Sequence, residues 1–284
     1  MTTRADDAFA VRVRGLSKSY RRVPAVRDLD LDVNYGEIFA ILGPNGAGKS
    51  TTIEILEGNR KRDAGEVRVL GEDPGTAGRS WRAKVGIVLQ EASDAGMLTV
   101  AETVRMFTNC YGTARVPGEV LELVGLDGVA GKRVRTLSGG QRRRLDVALG
   151  IVGMPDLLFL DEPTTGFDPE ARRQFWELIR LLAADGTTIV LTTHYLEEAA
   201  ALADRVAVIV RGSVVAVDSP GRLTGHVDAA ATVRWVDADG VHVERTDRPT
   251  DLIRRLGHDE GELAELTVTR PTLEDAYLRL IGQA

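Results

Sequence analysis

This sequence has almost no cysteine, no long apolar run and no excess of positive charge. Cys110 is the only cysteine among the 284 residues, which excludes an intrachain disulfide framework and a zinc site built from several cysteines. We expect Cys110 to be a small buried apolar residue. No stretch approaches the roughly 18 consecutive apolar residues of a membrane-spanning helix, and the N-terminus lacks the apolar run of a signal peptide. The sequence therefore predicts a chain that neither spans a membrane nor is secreted.

The charge balance argues against nucleic acid as a partner. Basic residues number 36 and acidic residues 42, for a formal net charge of -6 at pH 7. A protein that coats nucleic acid or an anionic membrane surface is expected to carry the opposite sign. With 43% apolar and 27% charged residues, the composition is that of a globular domain with a substantial core.

Short apolar runs alternate with helical patterns over the first 222 residues. The run at 38–42 is apolar throughout, and further runs, each followed by a polar or Gly-rich turn, occupy residues 85–89, 157–160, 188–191 and 206–210. This alternation is typical of a parallel α/β sheet. Residues 9–42 predict short strands, because Leu29, Leu31 and Val33 alternate with aspartates. Residues 98–136 show helical spacing instead, which predicts a helical insertion into the α/β core.

Arg211-Gly212 predicts a tight turn between two valine-rich strands, and the pattern changes at Ser219-Pro220-Gly221. From residue 223 to 284 the sequence predicts a small α+β appendage, with strands at 231–236, 241–245 and 264–269 and helices at 249–257 and 271–282. The last helix has an apolar face over residues 273–281. We expect this appendage to help the protein dimerise or to regulate it.

The strongest motif is GPNGAGKST, which follows the apolar run at 38–42 and precedes a helical pattern. Glycines at 43, 46 and 48 allow successive backbone N–H groups to converge on phosphate oxygens, and the following helix adds its positive N-terminal dipole. Lys49 supplies a charge for the β and γ phosphates, and Ser50 is placed to ligate Mg²⁺. The expected phosphate cradle comprises Gly43, Pro44, Asn45, Gly46, Ala47, Gly48, Lys49, Ser50 and Thr51.

A second apolar strand ends in two carboxylates. Asp161 follows the run at 157–160 and is expected to hold Mg²⁺. Glu162 is the natural residue to orient and polarise an attacking water, since a phosphate loop has no general base of its own. Alone, a strand ending in Asp-Glu is more often a solvated turn, but the phosphate loop favours the catalytic interpretation.

Three further residues are weak signals when taken singly. His194 ends the strand TIVLTTH at the edge where ligands collect, and its ring would sense the terminal phosphate directly or through Glu162. Gln90 ends the strand VGIVLQ and is placed to reach Mg²⁺ or the water. Tyr20, in SKSY, could stack its ring on a purine.

The stretch LSGGQRRR, residues 137–144, contains a second glycine-rich turn. Glycine loses more backbone entropy on ordering than any other residue, so a Gly-Gly pair is usually kept for a turn or for close approach to a ligand. We interpret its three arginines as a solvated helix face.

Taken in chain order, these motifs resemble the nucleotide-binding subunits of ABC transporters over about residues 9–222. The match comprises Tyr20 as the A-loop aromatic, GPNGAGKS as Walker A, Gln90 as the Q-loop, LSGGQ as the signature, LLFLDE as Walker B, TTGFDP as the D-loop and His194 as the switch histidine. Asp168 matches the family aspartate of the D-loop, whereas Phe167 stands where leucine is usual. LSGGQ between Walker A and Walker B is highly specific, and other P-loop ATPases lack it.

The resemblance implies a P-loop NTPase fold, an α/β architecture with a RecA-like core, an antiparallel β subdomain and a helical subdomain inserted at about 91–145. Residues 1–222 would form this ATPase domain. The implied cofactors are ATP and Mg²⁺, with Ser50, Gln90 and Asp161 at the metal. Two such subunits, identical or different, would sandwich ATP between Walker A of one and the signature of the other, so that Ser138, Gly139, Gly140 and Gln141 contact a partner's nucleotide. ATP closes this dimer and hydrolysis reopens it.

The segments DGVAGKRVRTLSGGQRRRLDVALGIVGMPDLLFLDEPTTGFDP and PTLEDAYLRLIG are similar to the ATPases of ABC-2 type exporters, including the daunorubicin-resistance and sodium-export groups. The resemblance implies a bacterial ATPase, peripheral on the cytoplasmic side of the membrane, that energises export of a small hydrophobic drug, antibiotic or lipid through a separate permease. Export of sodium or of a polysaccharide or lipid is an alternative. A soluble ATPase acting on nucleic acid or ribosomes is another, disfavoured by a single ATPase half, no heptad run and the acidic net charge.

Overall fold

The structure is a computed structural model that describes residues 8–88, 96–225, 230–237, 239–260 and 263–283. The chain divides into two compact units, Met1–Val217 and Asp218–Ala284. The boundary expected after residue 222 falls inside a helix, Pro220–Gly225. Pro220 begins this helix, and the backbone N–H of Arg222 donates to the carbonyl of Ser219, so the Ser-Pro-Gly sequence is a helix start.

The first unit contains an antiparallel sheet and a mostly parallel sheet. Its strands are β1 (Phe9–Tyr20), β2 (Val23–Asn34), β3 (Ile38–Leu42), β4 (Ala64–Val69), β5 (Val85–Val88), β6 (Leu157–Asp161), β7 (Thr188–Thr192), β8 (Arg205–Val210) and β9 (Ser213–Asp218). In the antiparallel sheet β1 lies between β2 and β4, and in the other sheet the order is β5-β6-β7-β3-β8-β9. β3 pairs in parallel with both β7 and β8. All five of its residues are buried, as expected for a strand covered on both faces.

The helices of the first unit are α1 (Lys49–Leu56), α2 (Arg79–Arg82), α3 (Val100–Thr108), α4 (Pro117–Leu123), α5 (Gly139–Ile151), α6 (Pro169–Ala184) and α7 (Leu196–Leu202). Short 3₁₀ turns lie at Asp127–Val129 and Val134–Thr136. The predicted helical insertion therefore corresponds to α3, α4 and α5. Its expected end at residue 145 falls within α5, because Val147, Ala148 and Ile151 continue the buried side of that helix.

The expectation that Cys110 is buried is wrong. A helix running past Thr108 would bring residue 110 onto the buried side of α3, seven residues after the buried Thr103. α3 ends at Thr108 instead, and the N–H of Cys110 donates to the carbonyl of Phe107 in the turn that follows. This turn exposes the thiol to solvent.

The second unit is the α+β domain that the sequence predicts. It comprises α8 (Pro220–Gly225), β10 (Ala231–Asp237), β11 (Gly240–Thr246), α9 (Pro249–Glu260), β12 (Ala264–Thr269) and α10 (Leu273–Gln283). β10 lies between β11 and β12 in an antiparallel sheet. The buried core of this sheet is formed by Val233, Trp235 and Leu252. On α10, Leu273 and Ala276 are buried, so part of the apolar face predicted for association is used inside the unit.

Among the described residues we find no helix that combines the length and the apolar character needed to cross a membrane.

Candidate active site

The phosphate loop connects the buried strand β3 to α1 and runs close to two other strands. A Cβ on Gly43 would lie 2.3 Å from the carbonyl oxygen of Ile209, and one on Gly48 would lie 2.3 Å from that of Ala25. Gly48 also has a φ of 103°, in the region that side chains disfavour. The N–H of Gly212, in the predicted turn between β8 and β9, donates to Ala47 O at 2.9 Å. Glycine is therefore required where the loop is packed against its neighbours.

Lys49 begins α1 and is 6% exposed. Its Nζ donates to the carbonyl oxygens of Gly43 at 2.8 Å and Pro44 at 3.3 Å, so the ammonium group is held against the loop. Burial lowers the pKa of Lys49, while the nearby charges of Glu162 and Asp161 oppose that shift. The first N–H groups of α1 have no acceptor within the helix, and Gly48 has no side chain to cap them. A buried cation and free helix donors together form a site for an anion.

The other predicted residues of the loop differ in exposure. Pro44, Asn45, Gly46 and Ser50 are exposed, whereas Ala47 is buried. Thr51, in the first turn of α1, lies 3.5 Å from Tyr20 through their hydroxyl oxygens. The guanidinium of Arg60 lies 5.2 Å from the centre of the Tyr20 ring. The structure therefore brings the predicted aromatic residue to the rim of the phosphate loop.

Asp161 and Glu162 are fixed by one residue of the neighbouring strand. The hydroxyl of Thr192, at the end of β7, donates to Oδ1 of Asp161. The N–H of Glu162 lies 3.1 Å from both the carbonyl oxygen and Oγ1 of Thr192. β6 and β7 are adjacent and parallel, so their ends meet at the same edge of the sheet, where ligands bind in such folds.

His194 contacts the second carboxylate. Its Nδ1 lies 3.3 Å from Oε2 of Glu162, and the two side chains are 41% and 19% exposed. The hydroxyl of Thr165 donates to the same carboxylate oxygen at 3.4 Å. On its other side the histidine ring packs on Tyr195, with ring centres 4.0 Å apart. Glu162 and His194 thus form a close pair next to Lys49, in line with the expected contact between them.

The signature segment caps a helix. Ser138 is the N-cap of α5, where its Oγ accepts from Gln141 N at 3.2 Å and Gln141 Oε1 accepts from Ser138 N at 3.2 Å. This reciprocal pair is a capping box. Ser138 and Gly139 are exposed, and Gly140 is half-buried. The turn therefore presents the start of α5 to solvent, where the N–H groups ahead of Gln141 have no acceptor within the helix and are available to an anion.

The interpretation of the arginine run as a solvated face is wrong. Arg143 is 8% exposed, and its guanidinium donates to backbone carbonyls next to Glu162. Arg142 donates to the carbonyl of Val134, and Arg144 donates to Gln174 on α6. Successive helix residues point in different directions, so three adjacent arginines cannot share one environment.

Asp168 is the N-cap of α6, where its Oδ1 accepts from the N–H of Ala171 at 2.8 Å. The neighbouring Phe167 packs edge-on against Phe175, with ring centres 5.7 Å apart, which gives the unusual residue a packing role. Gln90, the remaining predicted residue, lies outside the described residues. The sequence reasoning missed Thr192 and Arg143. The signals were available in the TTH and LSGGQRRR motifs, but only the fold shows which carbonyls and carboxylates they reach.

A strand–glycine loop–helix unit with a buried lysine, beside a strand-end carboxylate pair, defines a P-loop nucleoside triphosphatase. A family model described as ABC transporter matches residues 26–165, and a model for an AAA domain, putative AbiEii toxin, matches residues 133–198 of the same unit. The daunorubicin/doxorubicin resistance ATP-binding protein DrrA of Streptomyces peucetius is 39% identical over 305 residues, covering 96% of this chain and 92% of the relative. A Nod factor export ATP-binding protein I of Rhizobium sp. (strain N33) is 42% identical over 296 residues, covering 96% and 97%. The chain belongs to the ABC transporter ATP-binding protein family.

Solved structures support the same fold. An ATP-binding subunit of an ABC transporter superposes with a TM-score of 0.71 over 95% of this chain and 99% of its own, at 23% identity. The dimeric post-hydrolysis state of the ATP-binding cassette MJ0796, bound to ADP and Pi, gives 0.66 over 74% of this chain and 98% of its own, at 26% identity. Membership of this family implies binding and hydrolysis of ATP.

Proposed function

We propose that this protein is the ATP-hydrolysing subunit of a bacterial exporter. The observation that carries the proposal is the Glu162–His194 pair beside Lys49, at the carboxyl edge of the parallel sheet. A carboxylate in this position would act on a water next to the terminal phosphate of a bound nucleotide.

ATP would bind along the phosphate loop. Lys49 and the free backbone N–H groups of the phosphate loop would hold the β and γ phosphates, and Tyr20 would stack on the purine. Ser50, Gln90 and Asp161 would hold Mg²⁺. The hydroxyl and carboxylate oxygens of Ser50 and Asp161 are the hard donors that this ion prefers, and Thr192 orients the Asp161 carboxylate. When bound, the ion would neutralise phosphate charge.

Hydrolysis would depend on Glu162 and His194. Glu162 would accept a hydrogen bond from the attacking water, and His194 would hold the carboxylate and respond to the γ-phosphate. Ser138, Gly139, Gly140 and Gln141 would meet the γ-phosphate of a second ATPase subunit, identical or different, with Asp168 near the shared interface. The likeness to a dimeric cassette bound to ADP and Pi supports this arrangement.

The cargo is proposed from the relatives. Their names divide between daunorubicin resistance and Nod factor export, which favours export of a small hydrophobic compound through a separate permease, with this chain on the cytoplasmic face of the membrane. No observation favours sodium, or a role on nucleic acid or ribosomes. The second unit would assist dimerisation or regulate it.

The substitution Glu162→Gln tests the ATPase assignment. It keeps the shape of the side chain but removes the base, so we expect ATP to bind as in the unaltered protein while turnover falls by about 10²- to 10⁴-fold. ATP should then hold the variant as a dimer in sedimentation velocity. Glu177→Gln, on an exposed position of α6, is the matched control and should hydrolyse ATP normally. A normal rate in Glu162→Gln would refute the role of this carboxylate.

The export assignment requires a membrane partner, sought in the gene next to this one. Inverted vesicles that contain both chains should accumulate doxorubicin on addition of ATP. Vesicles with Lys49→Ala should not, because the phosphate charge is then left unneutralised. Hydrolysis without doxorubicin accumulation would refute the proposed cargo and leave the ATPase assignment intact.

A further inference from the structure

Arg143 connects the signature helix to the loop that carries Glu162. Its Nε donates to the carbonyl oxygen of Pro163 at 3.0 Å, and its Nη2 donates to that of Asp161 at 2.7 Å. These carbonyls belong to the residues immediately before and after Glu162. One guanidinium therefore bridges the backbone on both sides of the carboxylate.

Glu162 needs such support because its backbone is strained. Its φ is 43°, a left-handed conformation that is uncommon for residues other than glycine and persists only where the surroundings enforce it. The peptide between Asp161 and Glu162 is held at its oxygen by Arg143 and at its N–H by Thr192. The contact with Pro163 fixes the next turn of the chain. Together these bonds fix the backbone from which the Glu162 side chain extends.

The site requires an arginine. Two carbonyls on one loop match the planar fork of a guanidinium, whereas the ammonium of a lysine is a single point of donation. Burial lowers the pKa of Arg143, opposed by the charges of Asp146, Asp161 and Glu198, and a guanidinium stays protonated in proteins. Glu198 is fully buried, so the cation also balances buried negative charge.

We propose that Arg143 is a positioning residue for Glu162 and transmits the position of the signature helix to the hydrolysis site of its own chain. α5 starts at the glycines that, in the proposed function, meet a partner's γ-phosphate, and Arg143 lies about one turn further along. A shift of α5 on engaging that phosphate moves the guanidinium and, with it, the loop of Glu162. This inference rests on the proposed function.

A purely structural role of Arg143 would affect stability and turnover differently. If Arg143 served only to balance Asp146 and Glu198, its loss would lower stability and affect catalysis no more than any other destabilising change. If it positions Glu162, its loss lowers kcat while the ATP affinity, set by the phosphate loop, is retained. The two roles therefore predict different changes of kcat relative to ATP affinity.

The first experiment compares Arg143→Gln and Arg143→Lys with Arg144→Gln. Arg144→Gln removes the same charge from the next position, whose guanidinium contacts Gln174 instead of the Glu162 loop. We expect Arg143→Gln to lower kcat by about 10- to 100-fold, with ATP affinity within about threefold of the unaltered protein. Arg143→Lys should recover part of the loss, and Arg144→Gln should match the unaltered protein. Equal turnover in Arg143→Gln and Arg144→Gln would overturn the proposal.

The second experiment is a double-mutant cycle with Glu162→Gln, measured as single-turnover hydrolysis of labelled ATP. If Arg143 acts through Glu162, Arg143→Lys should lower the rate in the unaltered background and leave the residual rate of Glu162→Gln unchanged. Equal fold-losses in both backgrounds would show an independent structural effect and overturn the proposal, even if Arg143→Gln fails to fold. An unaltered protein that binds but does not hydrolyse ATP would instead count against the proposed function.

Discussion

At the scale of single residues, Glu57 is a carboxylate held away from water at the end of α1. It is 5% exposed and accepts a hydrogen bond from Nδ2 of Asn59 at 3.0 Å. It lines a cavity of about 370 Å³ together with Pro74, Trp81 and Arg82. Burial raises its pKa from 4.5 to about 7, and the neighbouring charges of Asp161 and Glu54 add to the shift. The folded protein therefore retains a proton that the unfolded chain releases.

Stability should fall as the pH rises through this window. Below pH 4.5 both states are protonated at Glu57, and between 4.5 and about 7 the unfolded chain ionises first; the loss is complete above that range. Glu57→Gln should therefore raise the free energy of unfolding at pH 8 by as much as about 3 kcal/mol and leave it unchanged at pH 4. Urea unfolding at both pH values measures this, with the exposed Glu177→Gln as control. An equal effect at both pH values would show that the charge of Glu57 is not the cause.

The sequence indicates which residues belong to the candidate active site, but it says less about which residues hold them in position. Glu162 and His194 were placed at the ends of strands, and parallel strands bring such ends together whatever their separation in sequence. Thr192 and Arg143 act on groups of other elements, Thr192 on the Asp161 carboxylate and the Glu162 N–H, and Arg143 on two backbone carbonyls. No periodicity or motif encodes which carbonyl a side chain will reach, so these two contacts required the structure.

At the scale of elements, two helices of the first unit begin with the same device. Thr99 is the N-cap of α3, and its hydroxyl accepts from Glu102 N while Oε2 of Glu102 accepts from Thr99 N. Ser138 is the N-cap of α5, with Gln141 in the corresponding position. The two capping boxes are chemically alike, but only that of α5 belongs to the signature segment.

Comparing Thr99 with Ser138 separates the effect of helix capping from the effect of nucleotide contact. Thr99→Ala and Ser138→Ala should each lower the free energy of unfolding by about 1 kcal/mol, because each exposes one unsatisfied N–H. Only Ser138→Ala should also lower ATP turnover, since only that hydroxyl is proposed to meet a partner's phosphate. Chemical unfolding and steady-state ATPase assays on both variants check this. Equal ATP turnover in the two variants would show that Ser138 only caps α5.

The elements themselves follow from local pattern. The solid apolar runs became the buried parallel strands β3, β6, β7 and β8, since a strand covered on both faces needs apolar residues at every position. Ends were harder to place. α5 outruns its expected limit, and the boundary expected after residue 222 falls inside α8, because Pro at a helix start and Pro in a turn look alike in sequence.

At the scale of the whole molecule, every described residue of the candidate site belongs to the first unit, Met1–Val217. Each unit has its own buried cluster. The second unit also exposes apolar side chains: Val241 is 60% exposed, Val243 63% and Leu278 54%. Val241 and Val243 lie on one face of β11, because residues two apart in a strand point the same way, and an exposed apolar face is a candidate interaction surface. They are better candidates for association than Leu273 and Ala276, which the sequence singled out and the fold buries.

Removing the second unit should therefore leave ATP binding intact and weaken dimerisation. A chain ending at residue 219 keeps β9 intact and should bind ATP with an affinity within about threefold of the full protein. In the Glu162→Gln background, where ATP holds the dimer closed, the same truncation should weaken dimerisation by about tenfold or more, because the apolar surface is lost. Val241→Thr with Val243→Thr in the full chain should weaken it in the same direction without removing the domain. Sedimentation velocity with ATP measures all three chains, and undiminished dimerisation of the truncated chain would refute a role for the second unit in association.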